Sequence, residues 1–498
     1  MTTVAANRVL TLKQRRVYPR IMLAAAVVGL PFITALLLNR SFHLGVAFVI
    51  FVNMAVIALA RPFELLAAFL FQMPLIPRWG EMLGVRVPDL MTPVALLLFV
   101  GSLVRWLTDR DREPLKPVWF DVIAMSFLAL GWFELYDGPV EVNLAKAYSR
   151  NVLLPGLFYL SIRLLMLDRR RMQQLVRWQL AAGMLLSLIV VVEAVAHRSL
   201  LYESVSEVFR EGGLYQPGGA FGRPFLAGAY LAILLPLYLY GALGGLGERY
   251  RCWFRAGTAL SVIGVGLSFE RGAWLAAGVA LGILFLYRPL RRPAGIVIAA
   301  SVVLAGAGLL FSSHSWLETR VAERSNVQDR VRFLAAGVGI LQSPEWNWAT
   351  GIGEGGYLEI AYRYMPPRSY YDVDRKTEAD KNRAQHNDYL RTVIEHGVPG
   401  GLLLLLMVVL LIGRGVKLAR DERRGVTNLD GRLGIALLAA ASTVLVDAAT
   451  HNTLVESQIM TGFWLVCALL YSDQAMTKDT LSLLALRQES HVPGAGSR

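Results

Sequence analysis

The feature that most constrains this chain is the recurrence of apolar runs, roughly 17 to 25 residues long with some shorter ones, separated by short clusters of arginine. A run of that length in helical form crosses the hydrocarbon of a bilayer, where only helices and closed barrels satisfy their own backbone hydrogen bonds. The runs fall near 21–38, 44–60, 63–76, 88–107, 118–136, 147–166, 177–196, 225–244, 253–268, 272–288, 294–312, 398–415, 432–449 and 455–471. The expected fold is therefore all-α, a polytopic transmembrane helix bundle of about 12–14 spans. The 63–76 run is the weakest, being short and opening on Pro62 and Glu64. Composition agrees: 55% of the 498 residues are hydrophobic and only 17% charged, too apolar for an ordinary soluble domain.

A net charge of +13 raises the question of nucleic acid. The basic residues lie between apolar runs, however, at Arg110, Arg112 and Lys116, Arg169 to Arg171, Arg249 to Arg255, Arg288 to Arg292, and Arg414 to Arg424. With the N-terminus inside, all of these fall on the cytoplasmic side, as the positive-inside rule requires, and no nucleic-acid partner is expected. The basic, apolar start resembles a signal peptide but lacks a small-x-small cleavage site, so it reads as an uncleaved first helix. Cys252 and Cys467 offer neither a disulfide framework nor a thiol metal site. The expected organisation is a cytoplasmic basic terminus (1–20), a first transmembrane bundle (21–312), one large periplasmic loop (313–397), C-terminal transmembrane helices (398–471) and a cytoplasmic tail (472–498).

Among the connections this topology places outside are 197–224, the turn Ser268-Phe269-Glu270-Arg271, and the large loop. The loop has helical periodicity over 329–342, a turn-rich GIGEGGY at 351–357, a polar stretch, and a second short helix from about Gln385 to Gly397. On that helix His386, Tyr389, Leu390, Val393 and Gly397 share one face, expected to pack on the membrane domain. Outside loops are where cations are least expected, yet Arg223, Arg271, Arg330 and Arg332 all fall there. Each alone reads as a snorkelling or solvated side chain; together they form a set suited to an anionic diphosphate. His386 with Asn387 is the candidate acid/base, since imidazole titrates near neutrality. His396 is expected to cap the helix end, while His451 and Asn452 face outward in the last turn. Asp372 and Asp374 resemble a metal-holding acidic pair, but they sit in a charged loop and read as solvated, so no metal and no cofactor is expected. GIGEGGY lacks the preceding strand and GK[ST] ending of a phosphate loop and reads as a tight turn.

The loop residues also resemble the signature of the O-antigen ligase and O-antigen polymerase family. They stand as Arg330, a helix to Leu341, Pro344, Gly351-Ile352-Gly353, His386-Asn387-Asp388-Tyr389-Leu390 and Glu395-His396-Gly397-Val398-Pro399-Gly400. Upstream, Glu270-Arg271-Gly272-Ala273 keeps the family's Arg but has Glu where Ser is usual, and Gly222-Arg223-Pro224-Phe225 is a weaker match. The resemblance covers roughly residues 220–402.

It implies a GT-C-like architecture in the bacterial inner membrane, with the active site facing the periplasm. The implied reaction is transfer of a glycan from undecaprenyl diphosphate to an acceptor hydroxyl, with inversion and without a required metal. Carried over by position, Arg271 and Arg330 bind the diphosphate and His386 activates or orients the acceptor. Asn387 and Tyr389 support that placement, and Arg223 and Arg332 extend the substrate contacts. The partners implied are the lipid-linked donor, lipid A core or a lipid-linked glycan as acceptor, and membrane lipids. The acceptor leaves a ligase, a polysaccharide polymerase and a protein O-oligosaccharyltransferase open. A lipid-linked glycan transporter calls for ionisable residues at mid-membrane and internal repeats, whereas Glu193 and Asp447 fall near helix ends and no repeat is visible.

Overall fold

The computed structural model describes residues 42–75, 91–109, 115, 117–136, 148, 152–202, 210–211, 214–311, 324–366, 387–423 and 431–472. The expected first helix at 21–38, Asp372, Asp374, His386 and the tail lie outside these residues. In chain order the helices are α1 (Phe42–Ala60), α2 (Pro62–Gln72), α3 (Met91–Thr108), α4 (Trp119–Tyr136), α5 (Leu154–Leu165) and α6 (Arg169–Ala196). A two-residue hairpin, β1 (Arg210–Glu211) with β2 (Leu214–Tyr215), precedes α7 (Pro224–Ala242), α8 (Arg251–Leu267), α9 (Arg271–Leu286) and α10 (Arg291–Phe311). Then follow α11 (Arg324–Leu341), α12 (Gly356–Tyr364), α13 (Asp388–Arg423), α14 (Gly431–Asp447) and α15 (Ser457–Ser472).

Every apolar run expected from residue 44 onward carries a helix. Their lengths differ from the expectation. Among the described residues, Arg169–Ala196, Pro224–Ala242 and Asp388–Asp421 are long and apolar enough to cross a membrane. A fourth crossing is added if Arg271–Leu286 and Arg288–Leu304, which meet at 112°, count as one broken span. Others, such as Leu154–Leu165 and Ser457–Ser472, are shorter apolar helices. Local chemistry cuts them: Pro155 opens α5, and Met166 at φ 46° closes it in the left-handed region. The doubtful 63–76 run becomes α2, 11 residues long, which at 1.5 Å per residue reaches only about 16 Å. It buries Phe63, Leu66, Phe69 and Leu70 instead of crossing alone.

α7 is apolar on every side and is buried almost throughout, as a central helix must be. It packs against α6, α8, α9 and α14. Glycines let the helices close up: Gly257 of α8 lies against the Tyr238 ring and Gly264 against Leu231. Buried ion pairing ties a further junction. Arg163 of α5 makes two 2.9 Å bonds to the Asp121 carboxylate of α4 and donates to the Tyr471 carbonyl of α15 at 3.0 Å. Past the kink in α13, Leu402, Leu405, Val409 and Ile412 form an exposed apolar stripe at helical spacing, the surface of a lipid-facing helix.

The large loop has a core of its own, made by Phe333, Ala336 and Ile340 of α11, Tyr357 and Ala361 of α12, Met365, and Ile394 of α13. α13 is two helices merged across Gly397, at φ 63° and ψ −168°. Residues 388–396 form an arm that belongs to the loop, and the apolar stretch follows the kink.

Candidate functional site

Four helix termini meet at one end of the bundle. α7 begins after Arg223 with Pro224 in its first turn, where a missing N–H costs nothing. α8 ends at Leu267, and a turn with Phe269 at φ 56° delivers Glu270 and Arg271 to the start of α9. α14 ends at Asp447, and the turn beyond it presents His451 and Glu456. These turns interlock. His451 Nδ1 lies 3.0 Å from Asp447 Oδ1, and its Nε2 lies 3.3 Å from Glu270 Oε2. Thr453 donates to the other Asp447 oxygen at 2.8 Å. Phe225 stacks on the imidazole at 6.1 Å and 10°, while Arg223 reaches Glu456 at 3.3 Å. The glycine after Arg271 permits this approach. A Cβ on Gly272 would sit 2.4 Å from His451 Nδ1 and 2.5 Å from Thr450 Oγ1.

Two carboxylates, one at each ring nitrogen, favour an imidazolium that donates to both. Although burial opposes the charged form, the bonds to Asp447 and Glu270 push His451 up to about 9. Arg330, half-buried in the second turn of α11, is held below its usual value by burial. Glu270 and Asp447 oppose that effect and Arg271 adds to it. Arg330 therefore sits within electrostatic reach of the same turn. The cluster comprises Arg271, Arg330 and protonated His451 against Glu270 and Asp447, one positive charge in excess.

The arm of α13 before the kink is placed by its own polar residues. Asn387 is its N-cap, accepting the Leu390 amide at 3.0 Å. The Asp388 amide donates to the Ala448 carbonyl at 2.8 Å, and its Oδ2 accepts from the Leu454 amide at 2.7 Å. Tyr389 donates to the Leu445 carbonyl at 2.8 Å. The end of the arm is clasped by GIGEGGY: the amides of Ile352 and Gly353 each donate at 3.0 Å to the carbonyls of Ile394 and Glu395. Those carbonyls belong to the last turn before the kink, so the turn supplies donors that the interrupted helix lacks.

Beside Tyr389, the arm presents to the bundle residues that were not expected to face it. Asp388, Thr392, Glu395 and His396 are its buried polar residues, and they line a cavity of about 30 Å³ with Phe127, Tyr148 and Trp464. Such a face is tolerable because its charges are paired. Arg391 bonds Glu395 at 2.7 Å and Glu354 at 3.2 Å, and His396 Nε2 lies 3.1 Å from Glu354 Oε2. His396, expected as a helix cap, thus belongs to a buried ion network. Ligand atoms of Glu354, Glu395 and His396 lie within 4.8 Å of one another, a spacing a metal ion accepts. The Arg391 guanidinium already answers both carboxylates. Burial, the largest influence, lifts the Asp388 carboxyl to about 7, and its Oδ1 has no hydrogen-bond partner.

Of the residues expected from sequence, the structure brings Arg271 and Arg330 together and ties Arg223 to the adjoining turn through Glu456. Arg332 donates to the Pro366 carbonyl at 2.7 Å, which fastens α11 to the end of α12. Asn387 and Tyr389 use their side chains to place the arm. His386, directly before Asn387, lies outside the described residues. Sequence reasoning undervalued Glu270, Asp447 and His451. The available signal was that Asp447 and His451 stand one helical turn apart and that Glu270 replaces an expected Ser beside Arg271. Glu193, a candidate transport residue, instead accepts from Ser199, Leu200 and Gly219 and stitches the loop after α6 onto its helix end.

No curated protein matches the chain. Residues 256–405 match the family model described as O-Antigen ligase. That span holds Arg271, Arg330, the glycine turn and the arm of α13, while Asp447 and His451 lie beyond it. Over residues 256–405 the chain is thus similar to the O-antigen ligase family.

Proposed function

We propose that the protein is an inverting glycan transferase of the inner membrane. It moves a glycan from an undecaprenyl diphosphate carrier to the hydroxyl of lipid A core on the periplasmic face, as an O-antigen ligase. The observation that carries this reading is the gathering of Arg271, Arg330 and the His451 imidazolium at one end of the bundle. In a single displacement the acceptor oxygen bonds to the anomeric carbon while the carbon–oxygen bond to the diphosphate breaks. Negative charge then develops on the departing diphosphate, where fixed guanidinium groups stabilise it. A lipid diphosphate is already a good leaving group, so positioning and charge stabilisation are the main demands, and a metal is not required for either. His386, next in sequence to Asn387, is assigned to take or orient the acceptor proton. Asn387 and Tyr389 place the arm of α13, and Arg223 and Arg332 are the outer substrate contacts.

The test is a reaction of purified protein with a polyprenyl-diphosphate glycan, with and without lipid A core, read as product mobility on a gel. Product only with lipid A core supports the ligase. A ladder of longer glycans from donor alone replaces it with the polymerase. Undiminished transfer by His386→Ala removes the assignment of that residue.

A further inference from the structure

A second cavity, of about 550 Å³, opens between the starts of α6 and α8 and the end of α7. α7 runs from Arg223 at the candidate site to Ala242 beside this cavity, and its 19 residues separate the two by about 28 Å. α8 connects the same two ends in the opposite direction. The cavity therefore lies on the membrane face opposite the candidate site.

Its lining changes along the membrane normal. Arg170, Gln174, Arg177 and Trp178 descend one face of α6 at helical spacing, followed by Ala181 and Met184. Across from them stand Arg249, Tyr250, Trp253 and Phe254, with Tyr238 of α7 behind. Guanidinium groups thus ring the outer end, and apolar and aromatic side chains form the wall toward the bilayer centre. Arg249 lies 4.4 Å and Arg177 5.6 Å from the centre of the Tyr250 ring, which holds two cations side by side. No carboxylate lines the cavity among the described residues. Glu248, the nearest in sequence, bonds Arg251 at 2.7 Å. Trp178 and Trp253 are 43% and 65% exposed, as side chains of an interfacial aromatic belt are.

We propose that this cavity is a binding site for an anionic glycerophospholipid, its phosphate held by Arg170, Arg177 and Arg249 and one acyl chain laid along Met184 and Phe254. A free phosphate matches only the rim, because the apolar wall has nothing to offer it. A zwitterionic lipid matches only the wall, because its own cation opposes the arginines. Basic pockets between transmembrane helices are recognised sites for acidic headgroups.

The experiment is native mass spectrometry of the full chain in mild detergent with equal amounts of phosphatidylglycerol and phosphatidylcholine of the same acyl chains. Wild type is expected to retain phosphatidylglycerol at least about tenfold over phosphatidylcholine. The triple variant Arg170→Gln, Arg177→Gln, Arg249→Gln should lose that preference. Equal retention of both lipids by wild type overturns the proposal, and that comparison needs no variant to fold. An undiminished preference in a folded triple variant also overturns it. Displacement of the lipid by an equal concentration of inorganic phosphate would mark a free-anion site and overturn the lipid assignment.

Discussion

Replacing His451 by Gln tests whether the turn between α14 and α15 is held by a charged imidazole. The side chain is 9% exposed and has a carboxylate at each nitrogen. Its rise from 6.5 to about 9 corresponds to about 3 kcal/mol at about 1.36 kcal/mol per pH unit. The sign follows from protonation. Below pH 6.5 the imidazole is charged in both folded and unfolded chains, and the folded state has its full advantage. Above 6.5 the unfolded imidazole loses its proton while the folded one keeps it, so the advantage declines and is gone above about 9. Unfolding of the two proteins in detergent, followed by denaturant titration at pH 6 and pH 9.5, measures the difference. Wild type should exceed His451→Gln by about 3 kcal/mol more at the lower pH than at the higher. A gap that does not change with pH would show that the imidazole is neutral and that its contacts are packing alone.

Arg271→Ala should lower the transfer rate by roughly 10²–10³, the loss typical of one charge-stabilising donor, without loss of membrane insertion; near-normal turnover would place the diphosphate elsewhere. Gly397→Ala should destabilise the loop by more than about 2 kcal/mol. Its φ 63°, ψ −168° conformation is essentially open only to glycine and costs an L-residue about 1–3 kcal/mol, and a Cβ would also stand 2.6 Å from the Trp348 carbonyl oxygen. Protease susceptibility of the loop reports the outcome, and unchanged resistance counts against the clasp. Asp388→Asn should stabilise the protein at pH 8 by up to about 4 kcal/mol at about 1.36 kcal/mol per pH unit. The ionised carboxylate is penalised by burial, a cost absent below pH 3.8 and complete above about 7. The gain should shrink at pH 5, and a pH-independent or negative effect in unfolding curves would exclude the penalty.

Much of the architecture was legible without coordinates because membrane helices are specified locally. Apolar length, arginine clusters and proline position state where each helix lies, and every described run from 44 onward is helical. The helix that carries Arg330, the tight GIGEGGY turn and the break at Gly397 are local patterns too. The pairing of these pieces was not legible. Gly272 is a short, unremarkable spacer in sequence; in the fold its missing Cβ is what admits His451. The arm's inward face, expected on Tyr389, Leu390 and Val393, also holds Asp388, Glu395 and His396, with Arg391 and Glu354 pairing the charges of Glu395 and His396. Helical periodicity counts apolar side chains, but it carries no information about which charges find partners. Glu270 and His451 are 3.3 Å apart in space and separated in the chain by six helices, α9 to α14. Local propensity decides what each segment is. Close packing and the cost of leaving a buried charge unpaired decide which segments meet, and only the tertiary structure contains those terms.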